Sequence, residues 1–310
     1  MLAVLTGGTG GAKLIQGLSL EADPRKLVII CNTADDLVLY GLHVSPDLDT
    51  VTYTLAGLAD EEKGWGIKGD TFAALEWMRK YGRETWFKLG DRDLATHLMR
   101  SALLREGLSL SQATGRIREA LGVKALILPV SDDRIETRIV TPRGEISFQE
   151  FFVRDRWSHE VERVCLAGVE RSRPAPGVIE AIRSSAAVIV CPSNPVTSIG
   201  PILAVPGVRA ALREVERPIV AVSPLIGGAA VSGPAAKLMA SMGIEVSACG
   251  VARAYADFVD TILIAREDEG LRERIAELGV EPVATSILMH SAADKKRLAR
   301  EVLALIGPMC

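Results

Sequence analysis

The stretch LAVLTGGTGGAKLIQGL, residues 2–18, decides the fold. It opens with the run at residues 2–5, which is apolar without alternation, as is typical of a strand buried on both faces of a parallel sheet. The glycines that follow allow a sharp backbone turn, and the spacing of Leu14, Ile15 and Leu18 then indicates a helix. A strand, a glycine turn and a helix in this order predict the opening of a nucleotide-binding α/β core.

Similar apolar runs recur along the chain and alternate with helical stretches. They lie at residues 27–30, 125–128, 187–190, 219–222 and 262–265. Apolar runs separated by helices predict a parallel α/β sheet. Ligands of such sheets bind at the carboxyl ends of the strands, so the residues after each run are the candidates for a site.

A mostly helical stretch follows at residues 65–122. Within it Leu94, Leu98 and Ala102 recur at four-residue spacing, which predicts one apolar stripe on a helix. This stretch does not continue the strand–helix alternation of the core. We therefore interpret it as part of an insertion.

A predicted β-hairpin comes next. Residues 135–141 and 145–151 flank the turn TPRG and have the residue types of strands. A final helix is expected over residues 292–306. We predict a single nucleotide-binding α/β domain over residues 1–310, with an inserted helical and hairpin subdomain at about 60–160.

Composition excludes several classes of function. The net charge of −3 gives no general basic field for nucleic acid. No apolar stretch approaches the roughly 20 residues that a membrane helix needs. The 5 cysteines form no CxxC pair, which argues against a cysteine zinc site. We expect a reduced, cytoplasmic protein with no nucleic acid and no membrane as partner.

The glycine turn predicts a phosphate site. Backbone N–H groups in it can approach an anion closely, and the following helix adds the positive end of its dipole. The residues concerned are Gly7, Gly8, Thr9, Gly10 and Gly11. The spacing matches neither GxxxxGK[ST] nor GxGxxG, because Lys13 stands at the last glycine position. The alternative is a tight turn without a ligand.

Four carboxylates follow the second predicted strand, in NTADD (residues 32–36) and SPDLDT (residues 45–50). They are Asp35, Asp36, Asp47 and Asp49. Oxygen ligands of this kind suit Mg²⁺, which takes one or two carboxylates together with substrate phosphates. The alternative is capping: the first pair would cap a turn, and the second pair a helix that begins near Val51.

A second polar cluster lies in WFKLGDRD, residues 86–93, which leads into the helix that bears His97. Asp93 and His97 are four residues apart and can share a helix face. Such a cluster can hold a phosphate and a hydroxyl nucleophile. The alternative is an N-cap aspartate, solvated charges and a histidine at the edge of the core.

Ser193 and Asn194 follow another buried run and can bind a base, a ribose or a phosphate, or else satisfy turn backbone. Trp65, Trp86 and Phe87 can stack on a ring or pack in the core. The sequence contains no GxSxG, HExxH or SxxK motif, so covalent serine catalysis and zinc hydrolysis have little support.

Taken in order, these motifs resemble the 2-phospho-L-lactate transferase family, which builds coenzyme F-420. The resemblance rests on GGTGGAKL, NTADD, SPDLDT, WGIKGDT, KLGDRDLATH, PVSDD, FQEFF, PSNPVTSIGPILAVPG and SPLIGGAAVSGPA, and it runs from residue 1 to about residue 260. It implies a Rossmann-like parallel sheet core, dependence on Mg²⁺ and a homodimer. The α/β core with its helical and β-hairpin insertion agrees with this fold.

The resemblance also implies a reaction. The terminal ribityl hydroxyl of 8-hydroxy-5-deazaflavin (Fo) attacks a phosphorus of a hydroxy acid that is activated by guanosine diphosphate. A 2-phospholactyl or phosphoenolpyruvyl group is transferred, and GMP leaves. A loose phosphoryl transition state is stabilised mainly by positioning and cations, so no covalent nucleophile is required.

The resemblance further implies roles for single residues. Asp49 and Lys88 are the catalytic candidates, and both would also bind Fo. Metal binding falls to Asp36 and Asp49. Other substrate-binding candidates are Gly7, Gly8, Thr9, Gly10 and Gly11 for the diphosphate, Ser193 and Asn194 for the guanosine, and Asn32 and Asp91. We expect D49N to lose turnover while the chain stays folded.

Two other functions compete with this one. A non-catalytic sugar-nucleotide-binding regulator of the gluconeogenesis-factor type would need the glycine turn but neither SPDLDT nor GDRD. A nicotinamide-dependent oxidoreductase predicts a GxGxxG loop and an acidic residue at the end of the second strand. The loop spacing differs from that pattern, and the strand ends in Cys31 and Asn32.

Overall fold

Strands and helices alternate along the chain in the computed structural model, which describes residues 1–307. The strands are β1 (Leu2–Thr6), β2 (Leu27–Cys31), β3 (Leu37–Leu39), β4 (Leu42–Val44), β5 (Leu126–Pro129), β6 (Glu136–Thr141), β7 (Gly144–Ser147), β8 (Arg163–Ala167), β9 (Ala187–Val190), β10 (Ile219–Val222), β11 (Leu225–Ile226), β12 (Ala229–Ala230), β13 (Thr261–Ala265) and β14 (Glu281–Thr285). The α-helices are α1 (Gly8–Glu21), α2 (Pro46–Leu55), α3 (Ala73–Lys80), α4 (Asp91–Arg105), α5 (Leu110–Ala120), α6 (Val178–Ser184), α7 (Gly200–Ala204), α8 (Val208–Arg213), α9 (Ala235–Ser241), α10 (Ala248–Tyr255), α11 (Arg272–Ala276) and α12 (Ala292–Leu305).

A seven-stranded parallel sheet forms the core, in the order β14-β13-β10-β9-β1-β2-β5. Counted along the chain within this sheet, the order is 3-2-1-4-5-6 of the doubly wound Rossmann fold, with a further strand at one edge. The predicted α/β fold is confirmed, and each of the predicted buried runs lies in this sheet. The strand order reverses between β1 and β9, which is where such sheets bind ligands.

Two apolar layers cover the sheet, one on each face. Leu2 and Val4 of β1 face the layer that contains α1, α2 and α12, whereas Ala3 and Leu5 face the layer that contains α6, α8 and α10. Successive side chains of a strand point to opposite faces, so a strand covered on both faces must be apolar at every position. This explains the unalternating run that opens the sequence.

One edge strand, β14, is absent from the predicted set. It contains Pro282, which pairs with Ile262 of β13. Proline within a run argues against a central strand but is tolerated at the edge of a sheet. The sequence pattern therefore does not reveal this strand.

The predicted insertion is divided by the core strand β5. Helices α3, α4 and α5 precede it, and a three-stranded antiparallel sheet in the order β7-β6-β8 follows it. A two-stranded ribbon of β3 and β4 projects after β2. The assignment of a single domain over residues 1–310 stays a prediction, and residues 308–310 of it lie outside the described part of the chain.

The second strand of the hairpin is shorter than predicted. β7 ends at Ser147, and a π-helical turn at Glu150–Arg154 replaces the strand expected up to residue 151. Glu150 Oε2 accepts from both the N–H and the Oγ of Ser147 at 2.9 Å, and Ser147 Oγ accepts from Glu150 N–H at 3.2 Å. This capping box starts a helical turn and ends the strand.

The helix in SPDLDT begins earlier than predicted. Its first residue is Pro46 rather than a residue near Val51, because proline fits the first helical position and aspartates favour the first turn. The helix predicted at 292–306 is present as α12. Among residues 1–307, no helix is both long enough and apolar enough to cross a membrane.

Candidate functional site

The amino end of α1 lies at the switch point of the sheet. Gly7 N–H donates to Ser193 Oγ at 3.3 Å, which joins the loop after β1 to the loop after β9. Gly8 N–H donates to Asp47 Oδ1 at 2.7 Å. A carboxylate thus occupies part of the place where the sequence predicts an anion.

Two further amides of this loop are available to a ligand. The first four N–H groups of a helix have no acceptor inside it. In the part of the chain that the structure describes, the N–H groups of Thr9 and Gly10 have no protein acceptor. They lie at the positive end of the helix dipole and can donate to phosphate oxygens.

The glycines let this loop pack closely against its neighbours. A Cβ atom on Gly11 would overlap Thr6 Oγ1, and one on Gly10 would lie 2.5 Å from the carbonyl oxygen of Pro192. Gly8 has a φ of +68°, which other residues rarely adopt. Both the packing and the conformation therefore require glycine here.

An acidic cluster, which we define as Asp35, Asp36 and Asp47, lies beside the glycine loop. Asn32 Nδ2 donates to Asp47 Oδ2 at 2.9 Å and to the carbonyl oxygen of Thr197 at 3.1 Å. Burial raises the pKa of Asp47 to about 6, against the hydrogen bonds from Asn32 and Gly8. Burial also raises the pKa of Asp35 and of Asp36. The cluster is therefore short of positive charge.

Asp36 also supports the β3–β4 ribbon. Its Oδ2 accepts from Ser45 Oγ at 2.5 Å and lies 2.9 Å from His43 Nε2. Its Oδ1 and Asp35 Oδ1 are both buried, and neither has a hydrogen-bond partner among residues 1–307. Carboxylate oxygens are the ligands that Mg²⁺ takes when it also binds phosphate, and the cluster contacts the glycine loop through Asp47. The types of these residues therefore suit the predicted metal.

Asp49 points away from this cluster. It lies two residues after Asp47 on α2, and this spacing places the two side chains on nearly opposite faces of a helix. The Arg100 guanidinium binds both of its oxygens, one of them at 3.1 Å. Asp49 and Arg100 are both buried. The carboxylate of Asp49 thus already has a cationic partner.

His97 and Asp93 complete this buried group. His97 Nδ1 lies 3.3 Å from Arg100 Nη1 and 3.6 Å from Asp49 Oδ2. His97 Nε2 lies 3.2 Å from Asp93 Oδ1, without the geometry of a hydrogen bond, and Tyr53 OH donates to the same oxygen at 2.8 Å. Asp49, Asp93 and His97 have the types and spacing of metal ligands. The Arg100 guanidinium lies among them and would repel a cation. We therefore interpret Asp49, Asp93, His97 and Arg100 as a buried ionic cluster, which we name the ionic core.

The buried face of α4 is therefore polar. His97 is 1% exposed and Arg100 is 2% exposed, whereas Leu98 of the predicted apolar stripe is 48% exposed. The prediction that the apolar stripe forms the buried face of α4 is therefore wrong. The polar side chains are buried instead, because Asp49 on α2 stabilises them. The predicted shared face of Asp93 and His97 is confirmed.

Asp91 caps a helix. Its carboxylate accepts from Thr71 Oγ1 at 2.5 Å and from the N–H groups of Ala73 and Ala74 at 3.0 and 2.9 Å, at the start of α3. In return, Asp70 accepts from Arg92 N–H at the start of α4. These bonds lower the pKa of Asp91, the one from Thr71 most. Its role in substrate binding stays a prediction.

Other candidates have mixed surroundings. Ser193 is buried against the glycine loop. Asn194 caps the π-helical turn that follows it, and its Oδ1 accepts from Val196 N–H at 2.9 Å. Lys88 is exposed just before α4. Trp86 and Phe87 pack edge to face with ring centroids 5.8 Å apart.

A surface cavity of about 450 Å³ lies between the tip of the β3–β4 ribbon and the segment before α4. Tyr40, Met78, Arg83 and Trp86 line it. The Tyr40 hydroxyl donates to the carbonyl oxygen of Glu84, and Tyr40 has a φ of +53°. Its aromatic lining suits a flat ring.

The structure brings together one set of predicted residues and separates another. The set at the switch point is Gly7, Gly8, Thr9, Gly10, Gly11, Asn32, Asp36 and Ser193. Asp49 belongs to the ionic core instead. From sequence, Asp47 was considered only as one of four possible Mg²⁺ ligands or as a helix cap, and its contact with the glycine loop was not predicted. His43 and Ser45 were given no role. The signal was present in LHVSPD, residues 42–47, a run with polar side chains that is separated from the acidic loop by five residues.

Comparisons with known proteins agree over the whole chain. A family model described as "2-phospho-L-lactate transferase CofD" matches residues 2–303. A 2-phospho-L-lactate transferase of Methanosarcina mazei is 42% identical over 97% of this chain and 99% of its own. A phosphoenolpyruvate transferase of Streptomyces griseus is 43% identical over 98% of both chains.

A solved structure resembles the fold. It is a member of the UPF0052 family from Bacillus halodurans, with a TM-score of 0.65 and 18% identity, over 97% of this chain and 98% of the other. At this identity the likeness concerns the fold alone.

Proposed function

Because the chain belongs to the 2-phospho-L-lactate transferase CofD family, we propose that it transfers a 2-phospholactyl or phosphoenolpyruvyl group from a guanosine diphosphate donor to the ribityl hydroxyl of Fo, releasing GMP, in coenzyme F-420 biosynthesis. The observation that carries the proposal is the amino end of α1, where free amides lie beside an acidic cluster with orphaned oxygens. Relatives named for either donor acid are equally similar, so the proposal includes both.

The donor binds through its diphosphate at the glycine loop. The amides of Thr9 and Gly10 donate to phosphate oxygens, and the dipole of α1 favours the negative charge. Asp47 opposes this, because its carboxylate lies 2.7 Å from Gly8 N–H and would repel the phosphate. Mg²⁺, held by Asp36 and Asp35, would neutralise both groups when bound. We also predicted Asp49 as a metal ligand. A metal bound there would have to compete with Arg100, which already binds the Asp49 carboxylate.

The acceptor ring fits the cavity lined by Tyr40 and Trp86. Tyr40 lies in the turn at the tip of the β3–β4 ribbon, and His43 is the second residue of β4. Two strand residues span about 7 Å. A ribityl chain that extends from a ring in the cavity can therefore bring its terminal hydroxyl toward His43 and Asp36. Lys88, two residues after Trp86, would offset phosphate charge there.

The reaction is a single displacement. The hydroxyl oxygen of Fo forms a bond to the phosphorus next to the acid, and the bond from that phosphorus to the bridging oxygen of the diphosphate breaks. GMP leaves with the bridging oxygen, and the hydroxyl proton passes to a carboxylate of the acidic cluster or to solvent. The residues of this chain act by positioning both substrates and excluding misaligned ones.

Isothermal titration with GDP and with Fo, each with and without Mg²⁺, tests the proposal, followed by an assay of GMP release. We expect both ligands to bind, GDP more tightly with Mg²⁺, and D36N to lose that gain. Binding of a sugar nucleotide without turnover would favour the regulator instead. We further propose a cytoplasmic homodimer; light scattering that gives the mass of one chain would contradict the dimer.

A further inference from the structure

A glycine-rich loop, residues 57–70, lies between α2 and α3, and we name it the flap. A bridge between Ala59 and Ile67 and a hydrogen bond of 2.8 Å from Lys68 N–H to the carbonyl oxygen of Leu58 close its base. The flap contains several glycines at positive φ. They are Gly57, Gly64, Gly66 and Gly69. Such residues allow a loop to change direction at low cost.

The flap borders the glycine loop of the donor site. A Cβ atom on Gly64 would lie 3.9 Å from Thr9 Cγ2. Thr9 also provides one of the two free amides. The flap therefore contacts the residue whose amide is free to bind phosphate.

A three-membered node holds the flap in this position. Lys295 Nζ of α12 donates to Glu61 Oε2 of the flap at 2.8 Å and to Gln16 Oε1 of α1 at 2.6 Å. Gln16 Nε2 donates to Glu61 Oε1 at 2.9 Å. Each member thus contacts the two others. The node connects the flap to the helix whose amino end binds phosphate.

Lys295 is placed for this contact by close helix packing. It is 3% exposed, and a Cβ atom on Gly17 of α1 would overlap its carbonyl oxygen. Its ammonium group is therefore fixed relative to α1, where Gln16 Oε1 also accepts from it. The Glu61 side chain, by contrast, is 59% exposed. The fixed end of the ion pair is on the helix and the movable end is on the flap.

We propose that Lys295 is a positioning residue that holds the flap over the diphosphate of the donor through Glu61. This proposal rests on the proposed function, since it takes the glycine loop to bind a diphosphate. A half-exposed ion pair is weak, so the flap opens to admit the donor and closes again over it. The final helix, which contributes none of the predicted site residues, thereby influences donor binding.

Three variants of the full-length protein test the proposal: E61Q, K295M and the double variant. The matched controls are E62Q, beside Glu61 on the flap, and K296M, beside Lys295 on α12. The measurements are the Kd of GDP with Mg²⁺, the KM of the donor, kcat, and hydrogen exchange of residues 57–70. Thermal unfolding checks that each variant folds. E61Q changes an exposed side chain and keeps the test valid if K295M unfolds.

We expect E61Q and K295M each to weaken GDP binding and raise the donor KM about two- to fivefold, as the loss of one exposed ion pair implies. kcat should stay within a factor of two, flap exchange should rise, and the double variant should equal the single ones. If the wild-type protein binds GDP but E61Q has the same Kd and the same hydrogen exchange of the flap, the role of the flap is refuted and the proposed function stands. Failure of the wild-type protein to bind GDP would refute the proposed function together with the flap.

Discussion

Replacement of Asp47 by Asn should stabilise the protein. Asp47 is buried beside Asp35 and Asp36, and its carboxylate accepts from Gly8 N–H and Asn32 Nδ2. Burial raises its pKa to about 6 from 3.8. A raised carboxyl pKa means that the folded state disfavours the charged form, so the negative charge is a cost that the neutral Asn removes.

The magnitude follows from the pKa difference. Between 3.8 and about 6 the shift corresponds to about 3 kcal/mol. One hydrogen bond is lost, because an amide offers only one acceptor to the two donors, and this costs about 1 kcal/mol. D47N should therefore be about 1 to 2 kcal/mol more stable above pH 6, where Asp47 is ionised. As the pH falls from about 6 toward 3.8, the folded state binds the proton and the cost of the charge shrinks, so the advantage of D47N is lost by about pH 4.

Thermal unfolding at pH 4 and pH 8, with and without Mg²⁺, measures this effect. We expect D47N to have the higher Tm at pH 8 and to lose that advantage at pH 4. Mg²⁺ should raise the Tm of the wild-type protein more than that of D47N, because a ligand stabilises the state that binds it. A D47N protein that is less stable at pH 8, or whose difference does not change with pH, would refute the reasoning.

D49N is the matched comparison, two residues away on the same helix. It leaves the Arg100 guanidinium buried without an anionic partner, and losing one member of a buried ion pair costs about 3 to 5 kcal/mol. We therefore expect D49N to lower the Tm, whereas the sequence alone predicts only that the variant loses turnover and stays folded. If D47N and D49N change the Tm equally, Asp47 and Asp49 do not lie in the two different environments described above, the acidic cluster and the ionic core.

Three further variants test separate parts of the site. G11A should abolish GDP binding and lower the Tm, because the added methyl overlaps Thr6 Oγ1; unchanged titration with GDP would contradict the close packing. W86A should raise the KM for Fo about tenfold, since stacking contributes about 1 kcal/mol or more, and should leave GDP binding unchanged. An unchanged KM would show that the ring of Fo does not bind in this cavity. D91A should lower the Tm through loss of the α3 cap while turnover of the folded protein persists; inactive, equally stable D91A would instead support the predicted role of Asp91 in substrate binding.

The sheet and its switch point could be predicted because burial on both faces requires apolar residues at every strand position. Runs such as the one at residues 27–30 have this pattern, and the glycines after β1 indicate the turn. β14 could not be predicted in the same way, because Pro282 is tolerated only at an edge that the sequence does not identify. The capping box at Ser147 and Glu150 was readable in the sequence, but strand-forming aromatic residues around it favoured the longer strand.

The buried face of α4 shows why the site itself was less predictable. Periodicity assumes that apolar side chains are buried, and it therefore selected Leu98 rather than Arg100. Arg100 is buried because Asp49, fifty-one positions earlier in the chain, meets it across two packed helices. Such partners are set by tertiary packing and leave no trace in local spacing. The same holds for Asp47 and Asp49, which look equivalent in SPDLDT until the start of α2 is known.

The role of Asp49 can be decided by removing the ion pair as a unit. In the double variant D49L/R100M both charges are replaced by apolar side chains, and such an exchange is often neutral or stabilising when the volumes are similar. If Asp49 acts only as an anchor that holds α4 and the segment with Lys88 against α2, the double variant should fold and retain most of its turnover, whereas D49N alone should not. If Asp49 binds Fo or the metal, the double variant should fold but have no turnover. Tm and GMP release, measured together on both variants, separate these outcomes, because an anchor can be replaced by packing and a ligand cannot.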